Sequence, residues 1–477
     1  MRSSLHLPAY FSCAALLFLT ACAVGPKFQR PQVDAPASFR DATATPSTNS
    51  LADLPWWGVF KDPLLQELIR TGLTNNYDLR IALTRVDQAR ALQAQARSQF
   101  TPEVVYLGDA SRGRNMFLNL PALNGGQTVD GFLGGFEAIW EIDLWGRVRR
   151  MNEAARASYM ATQEGRRVVS ISVISGVARA YFELLEMDEQ LAIAKRTLES
   201  YDRTYKLFDD QHANGLASRL ELSRAKAARS SISAGIPEIE RRISLKENEI
   251  LALLGRNPGP VPRSSKLLAQ ELPPEIPAGL PSSLLERRPD IRMAEQQVRA
   301  ANAKIGVAIG DFFPRIGLTA FYGGVSSELS ELTSTGANAW SLAASAAGPV
   351  FTGGRLLGRY RMAKAACEEA RLHYQQTALS AFREVSDALV SLLKFGEAHV
   401  LQAEAVTACR DAVEVATERY RAGKASYYEV LEAQQQLFPA ENTLARLEAS
   451  RRLAIVQLYR ALGGGWSLEG PGSEVIQ

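Results

Sequence analysis

The sequence predicts a mainly α protein that also carries a transmembrane β-structure: an internally duplicated chain with four short strands and two long antiparallel helical hairpins. Three observations predict it. Motifs recur in register along the chain. Each recurrence leads into a proline-free stretch far longer than an ordinary globular helix. Short intervals before those stretches alternate apolar and polar residues with the period of a strand.

The recurrence is ordered. Asn76-Tyr77-Asp78-Leu79 matches Arg288-Pro289-Asp290-Ile291, and Phe100-Thr101-Pro102 matches Phe312-Phe313-Pro314, both at an offset of 212. Gly146-Arg147 matches Gly354-Arg355, Gly215 and Ser218 match Gly423 and Ser426, and Leu254-Gly255 matches Leu462-Gly463, all at 208. Only the segment between the proline and the Gly-Arg differs, by four residues. That places the length change at a hairpin tip, where insertions are tolerated.

Each copy reads as a helix, two strands and two long helices. Arg147 to about Ala213, and Arg355 to Arg421, contain no proline, and each as one helix would run on the order of 100 Å. Gly215 and Gly423 mark turns, after which helices return along Ser218 to Leu254 and Ser426 to Leu462.

The strands are expected at about 103–112, 131–144, 315–325 and 339–351. One face of the second carries Phe132, Phe136, Ala138, Trp140 and Ile142, and the other carries Glu137, Glu141 and Asp143. Lengths of about 10 residues suit a strand that crosses a membrane. Four strands cannot close a barrel, and an open edge in lipid leaves backbone groups unpaired. Two chains would supply eight strands, a size whose interior side chains fill, whereas three would supply twelve and leave a conduit.

The N-terminus reads as an address. Arg2, an apolar stretch from Tyr10 to Leu19 and then small residues have the layout of a secretory signal. The stretch is shorter than the roughly 20 apolar residues a permanent span needs. Leu19-Thr20-Ala21-Cys22 resembles the bacterial lipobox, in which a peptidase cuts before the cysteine and its thiol receives a diacylglycerol. The resemblance implies lipidation at Cys22, and Ala23 in place of aspartate permits sorting to the outer membrane. Cys13 would leave with the signal. Cys367 and Cys409, 42 residues apart, would lie about 60 Å apart on one helix, beyond disulfide reach.

The chain thus divides into a signal peptide at 1–21, a lipidated segment and equatorial region at 22–70, a first repeat at 71–257, a Pro-rich connector at 258–282, a second repeat at 283–466 and a tail at 467–477. Trp56, Trp57 and Phe60, ahead of Asp62-Pro63, read as packing anchors.

Composition removes other classes. Among 477 residues, 54 basic side chains nearly balance 51 acidic ones, so there is no electrostatic footprint for a nucleic acid partner. Four His and four Cys leave little material for metal clusters or His-based catalysis, and no cofactor is expected beyond the lipid on Cys22. No phosphate-binding loop of the G-x-x-x-x-G-K type is present, so energy must come from a partner. Ser223 to Lys226 and Ser391 to Lys394 match Ser-x-x-Lys but lack the companion Lys-Thr-Gly. His212, His373 and His399 read as isolated and solvent-facing. An enzyme is not expected.

The residues resemble one family. Cys22-Ala23-Val24-Gly25-Pro26, Leu54-Pro55-Trp56-Trp57, Asp62-Pro63-Leu64, Leu285-Glu286-Arg287-Arg288-Pro289-Asp290-Ile291, Arg419-Tyr420-Arg421-Ala422-Gly423 and Tyr459-Arg460-Ala461-Leu462-Gly463-Gly464-Gly465-Trp466 are similar to outer-membrane efflux proteins of the TolC and OprM type, especially their lipoprotein branch. The resemblance covers essentially the whole mature chain. It implies a homotrimer with a twelve-stranded β-barrel in outer-membrane lipid and a twelve-helix periplasmic α-barrel. It also implies docking to a periplasmic adaptor and an inner-membrane pump of the proton-driven RND class, and passive export of drugs or other small molecules. A lipid-anchored adaptor with coiled-coil hairpins is the alternative, but it has no need of two strand pairs or a second hairpin.

The expected gate lies just past Gly423. Glu429 and Glu432, three apart, share a helix face, and threefold symmetry would stack them as two carboxylate rings, which select cations. The family's constricting positions carry Asp, or one Asp with a Leu, where this chain has Tyr428, Glu429 and Glu432. Glu221 is the repeat partner of Glu429, whereas Arg224 stands opposite Glu432. The resemblance implies that Tyr420 and Arg419 tie to Glu221 on the neighbouring hairpin and hold the end shut. It also implies adaptor contact at the tips, around Gly215, Leu216 and Ser218 and around Gly423 and Ser426.

Overall fold

The computed structural model describes residues 23–39, 51–114, 128–264, 266–267 and 281–464. Cys22 and the rest of the lipobox, Gly465-Trp466 and most of the connector lie outside them. The main elements are α1 (Pro63–Asn75), α2 (Tyr77–Ser98), β1 (Glu103–Arg114), β2 (Thr128–Ile142), α3 (Arg147–Ala213), α4 (Arg219–Leu253), α5 (Pro289–Gly310), β3 (Arg315–Ser326), β4 (Asn338–Ala347), α6 (Arg355–Arg421) and α7 (Tyr427–Ala461). Lengths agree pairwise: α2 and α5 have 22 residues, α3 and α6 have 67, and α4 and α7 have 35.

The strands form one antiparallel sheet in the order β1-β2-β3-β4. Two expected strand ends move inward for local reasons. β2 stops at Ile142 because Asp143 turns to the next helix, its carboxylate accepting from the backbone N–H groups of Val148 and Arg149, both at 2.9 Å, which satisfies free donors at a helix start. β4 stops at Ala347 rather than 351, since Pro349 has no N–H to offer a ladder.

The chain clusters into two compact units. One contains Arg85–Gln163 and Met293–Gln375 with the N-terminal segment up to Gln32. It holds the sheet. The other comprises Val33–Thr84, Glu164–Arg292 and Gln376–Gln477. Its core joins Leu65 and Ile69 of α1, Tyr181 and Leu184 of α3, Ile250 of α4, Val385 of α6 and Leu458 of α7. Trp56 and Phe60 are buried there as packing anchors, Phe60 lying edge-on to Tyr459 at 6.0 Å. α3 includes a window apolar enough to cross a membrane, but 67% of that window is buried in the protein, as befits a core helix.

The repeated motifs at the starts of α2 and α5 have a shared task. Asn76 donates from Nδ2 to the Leu253 carbonyl at 2.9 Å, and Arg288 donates from Nη1 to the Ala461 carbonyl at 2.8 Å. Each copy thereby ties the end of its returning helix to the start of its first helix. Cys367 and Cys409 are both free thiols on α6.

Candidate functional site

The two hairpin tips are built alike at the backbone. Gly215 and Gly423 take φ of +71° and +70°, a left-handed conformation that glycine adopts without a Cβ penalty. In both, the glycine N–H and the next N–H reach back to the ending helix: Gly215 to His212 O at 3.0 Å and Leu216 to Gln211 O at 2.7 Å, then Gly423 to Tyr420 O and Lys424 to Arg419 O, each at 2.9 Å. This pair of hydrogen bonds satisfies carbonyls that a helix end leaves without partners.

The side chains then diverge. Ser218 caps α4 in a reciprocal box: its Oγ accepts from the Glu221 N–H at 3.2 Å, and Glu221 Oε2 accepts from the Ser218 N–H and hydroxyl, both at 2.8 Å. Those two donors hold the Glu221 carboxyl below the usual carboxylate range. Ser426 makes no side-chain cap bond. Its copy's glutamate, Glu429, instead lies 3.5 Å from Arg419 Nε. Tyr420 packs edge-on against Tyr427, with centroids 5.4 Å apart. Within this chain the Glu221 carboxylate caps α4, while Arg419 and Tyr420 face α7.

Tyr427, which sequence reasoning passed over beside Tyr428, fastens the second hairpin to the first. It is buried against Phe208 at 4.6 Å, and its hydroxyl donates to Thr204 Oγ1 at 2.8 Å. Burial pushes its phenol up to about 12. Around it Tyr201, Ala225, Val430 and Leu431 complete a small apolar cluster. Tyr428 points outward beneath the Arg224 guanidinium, 5.3 Å from its ring centroid. Glu429 and Glu432 both lie on the exposed surface of α7. Leu216 is exposed at the first tip.

Higher in the hairpins, the expectation for His399 needs correction. His399 Nε2 is 2.7 Å from Glu448 Oε2 and only partly exposed, so it is neither isolated nor solvent-facing. Glu448 is buried, which works against its charge, but Arg452 at 2.5 Å, with His399 and Arg451, holds its carboxyl below the usual range. His212 is exposed as expected, but it is not isolated, since its Nδ1 lies 2.9 Å from the Ala217 carbonyl across the turn. Ser391 donates to the Asp387 carbonyl at 2.6 Å and Lys394 pairs with Glu397 at 2.8 Å, so that Ser-x-x-Lys match is turned to helix contacts. Among the described residues, no group of three or more His, Cys, Asp or Glu is placed to hold a metal ion.

The sheet carries a second candidate surface. Cross-strand register sets Tyr106, Phe136, Tyr322 and Trp340 side by side across all four strands, and they are 84%, 62%, 63% and 71% exposed. Aromatics in such a row, three of which (Tyr106, Tyr322 and Trp340) join a polar tip to an apolar body, suit a membrane–water interface. On the same face, rows of Val104, Ala138, Ala320 and Leu342, then Trp140, Leu318 and Ala344, continue toward the helices. The opposite face carries Glu137 and Glu141, the latter paired with Arg147 at 2.7 Å. One face is thus fit for lipid and the other for water.

The sequence profile of the outer membrane efflux protein family matches residues 68–256 and again 280–464. The chain belongs to that family. It is 35% identical over 459 residues to a probable efflux pump outer membrane protein, TtgC of Pseudomonas putida, covering 94% of this chain and 93% of the relative. A probable outer membrane lipoprotein of Salmonella typhimurium, SilC, is 33% identical over 468 residues, covering 95% and 98%. Among solved structures, the outer-membrane channel OprN superposes with a TM-score of 0.86 at 31% identity, covering 93% of this chain and all of that one. The protein is an outer-membrane efflux channel, and the adaptor reading is set aside.

Proposed function

We propose that this efflux channel works as a homotrimer of internally duplicated chains. Three four-stranded sheets close a twelve-stranded β-barrel, and three pairs of long hairpins build a twelve-helix tunnel in the periplasm. The observation that supports this best is the sheet: its aromatic row faces out, while β1 and β4 stand at its edges within the chain. An unpaired edge in hydrocarbon costs several kcal/mol per backbone group, so the sheet needs other copies. Three of them leave room for a conduit. The pairwise element lengths and the two family matches support the duplication.

The duct is passive and not an enzyme. Drugs or other small molecules enter from an inner-membrane RND-type pump through a periplasmic adaptor, which docks at the tips around Gly215, Leu216, Ser218, Gly423 and Ser426. Cys22 carries a covalent lipid that holds the chain in the outer membrane. At the periplasmic end, Glu429 and Glu432 form two carboxylate rings beside Tyr428 and attract cations, while Arg419 restrains Glu429. Native mass measurement of a detergent extract tests the assembly: a three-chain species is expected, and a stable monomer contradicts it. Pull-down of the same extract is expected to bring down an adaptor and a pump.

A further inference from the structure

The first described residues are clamped to the base of the sheet. Val24 donates its N–H to the Trp145 carbonyl at 3.0 Å. Arg150, itself buried, donates from Nε to the Val24 carbonyl at 3.1 Å and from Nη2 to the Gly25 carbonyl at 3.2 Å, and Asn302 donates to the Pro26 carbonyl at 3.0 Å. The fit is close: a Cβ on Gly146 would come within 2.5 Å of Ala23 Cα, and one on Gly25 within 2.6 Å of Gly306 Cα. Arg30 then pairs with Glu295 at 3.0 Å and Arg299 sits over Phe28 at 4.9 Å, so the strap continues along α5. Trp145 is fixed in turn, stacked on Phe313 at 4.7 Å and donating to the Pro314 carbonyl at 2.8 Å.

The lipid-facing side of the sheet has a groove of about 480 Å³. Ala138, Ala320 and Ala344 leave the depression, and Trp140, Leu318 and Leu342 border it. Among the described residues, no charged side chain lines it. Its helix-ward end, at Trp140, is five residues from Trp145, at most about 17 Å even for fully extended chain, a distance that a long saturated acyl chain covers. Cys22 is bonded to Ala23, with consecutive Cα atoms about 3.8 Å apart.

We infer that this groove receives an acyl chain carried by Cys22 itself, so that the lipid seats on the channel's own wall as well as anchoring it. The inference rests on lipidation of Cys22. The strap fixes the point of attachment, and the small residues of three adjacent strands supply an uncharged trough within reach of it. Arg150 and Asn302 are positioning residues, because they hold the backbone next to the lipidated cysteine.

The test uses the full-length protein in cells fed a fatty acid that carries both a diazirine and an alkyne. After irradiation, purification and trypsin digestion, mass spectrometry reads which peptides each acyl chain has reached. The expected product joins the N-terminal peptide ending at Lys27, through its acyl chain, to a peptide containing the residues around Leu318 to Ala344 or Ala138 to Trp140. Ala320→Leu and Ala344→Leu, which narrow the trough, are expected to lower its yield. A labelled N-terminal peptide crosslinked only to phospholipid or to peptides away from the sheet overturns the inference and leaves lipidation standing. Groove peptides crosslinked only to phospholipid chains overturn it in favour of bulk lipid, as does an undiminished yield in both variants. An N-terminal peptide with no label removes the lipidation and the inference together.

Discussion

The two hairpin tips share a backbone and differ in what their glutamates do. At the first, Glu221 closes a capping box with Ser218. At the second, Ser426 leaves its cap unmade and Glu429 faces Arg419 across the turn. Both tips carry the turn glycine and the serine, while the carboxylate holds a helix end at the first and lies on an exposed face with Glu432 at the second. The lesson is that the same serine and glutamate at the same spacing can serve stability in one copy and leave a charge available in the other. The acidic pair in the second copy, against Glu221 and Arg224 in the first, makes only the second tip a candidate for a cation-selective ring.

Tyr427→Ala should disturb this arrangement most, because it removes the buried ring that fastens the second tip to α3. Loss of a large buried aromatic costs about 3–5 kcal/mol, and here it should appear as faster amide exchange over both tips and a higher single-channel conductance. An unchanged exchange pattern would show that the hairpins are held together elsewhere. The next effect sharpens the contrast between serines. Ser218→Ala should destabilise the start of α4 by about 1 kcal/mol, whereas Ser426→Ala should leave α7 nearly unaffected. Equal losses would refute the difference in capping.

Acid should separate the tips as well. The folded pKa of Glu221 lies below its unfolded value, so its cap contribution is present above the ordinary carboxylate range and is lost as pH falls through the depressed folded value. Amide exchange at the start of α4, corrected for intrinsic rates, should rise in that window and lose this pH dependence in Glu221→Gln. The smallest effect belongs to Arg419→Ala. The Arg419–Glu429 pair is exposed, and such pairs contribute about 0–1 kcal/mol. Thermal melting should barely move.

Much of the fold was legible in the sequence because it is written in local signals. Long runs without proline, closed by Gly215 and Gly423, placed both tips, and the alternating strands were found within a few residues. The strand ends that shifted did so at Asp143 and Pro349, where a helix cap and a missing N–H decide the matter locally. The candidate site was less legible. Tyr427 and Tyr428 are adjacent and chemically identical, and only the packing of α7 against Phe208 and Thr204 decides which is buried. His399 and Glu448 lie on different helices, so no spacing rule brings them together. Glu221 could be read as a lock or as a cap, and its own serine three residues earlier proved the nearer partner. The Asn76 and Arg288 motifs were visible as recurrences, but their task of gripping Leu253 and Ala461 needed the hairpins in three dimensions.

The division of labour between the tips is tested most directly by ion selectivity in planar bilayers. Channels carrying Glu429→Ala with Glu432→Ala should lose cation preference, while Glu221→Ala channels should keep it. Unchanged selectivity in the double variant, or an equal loss in Glu221→Ala, would contradict the assignment of the gate to the second tip.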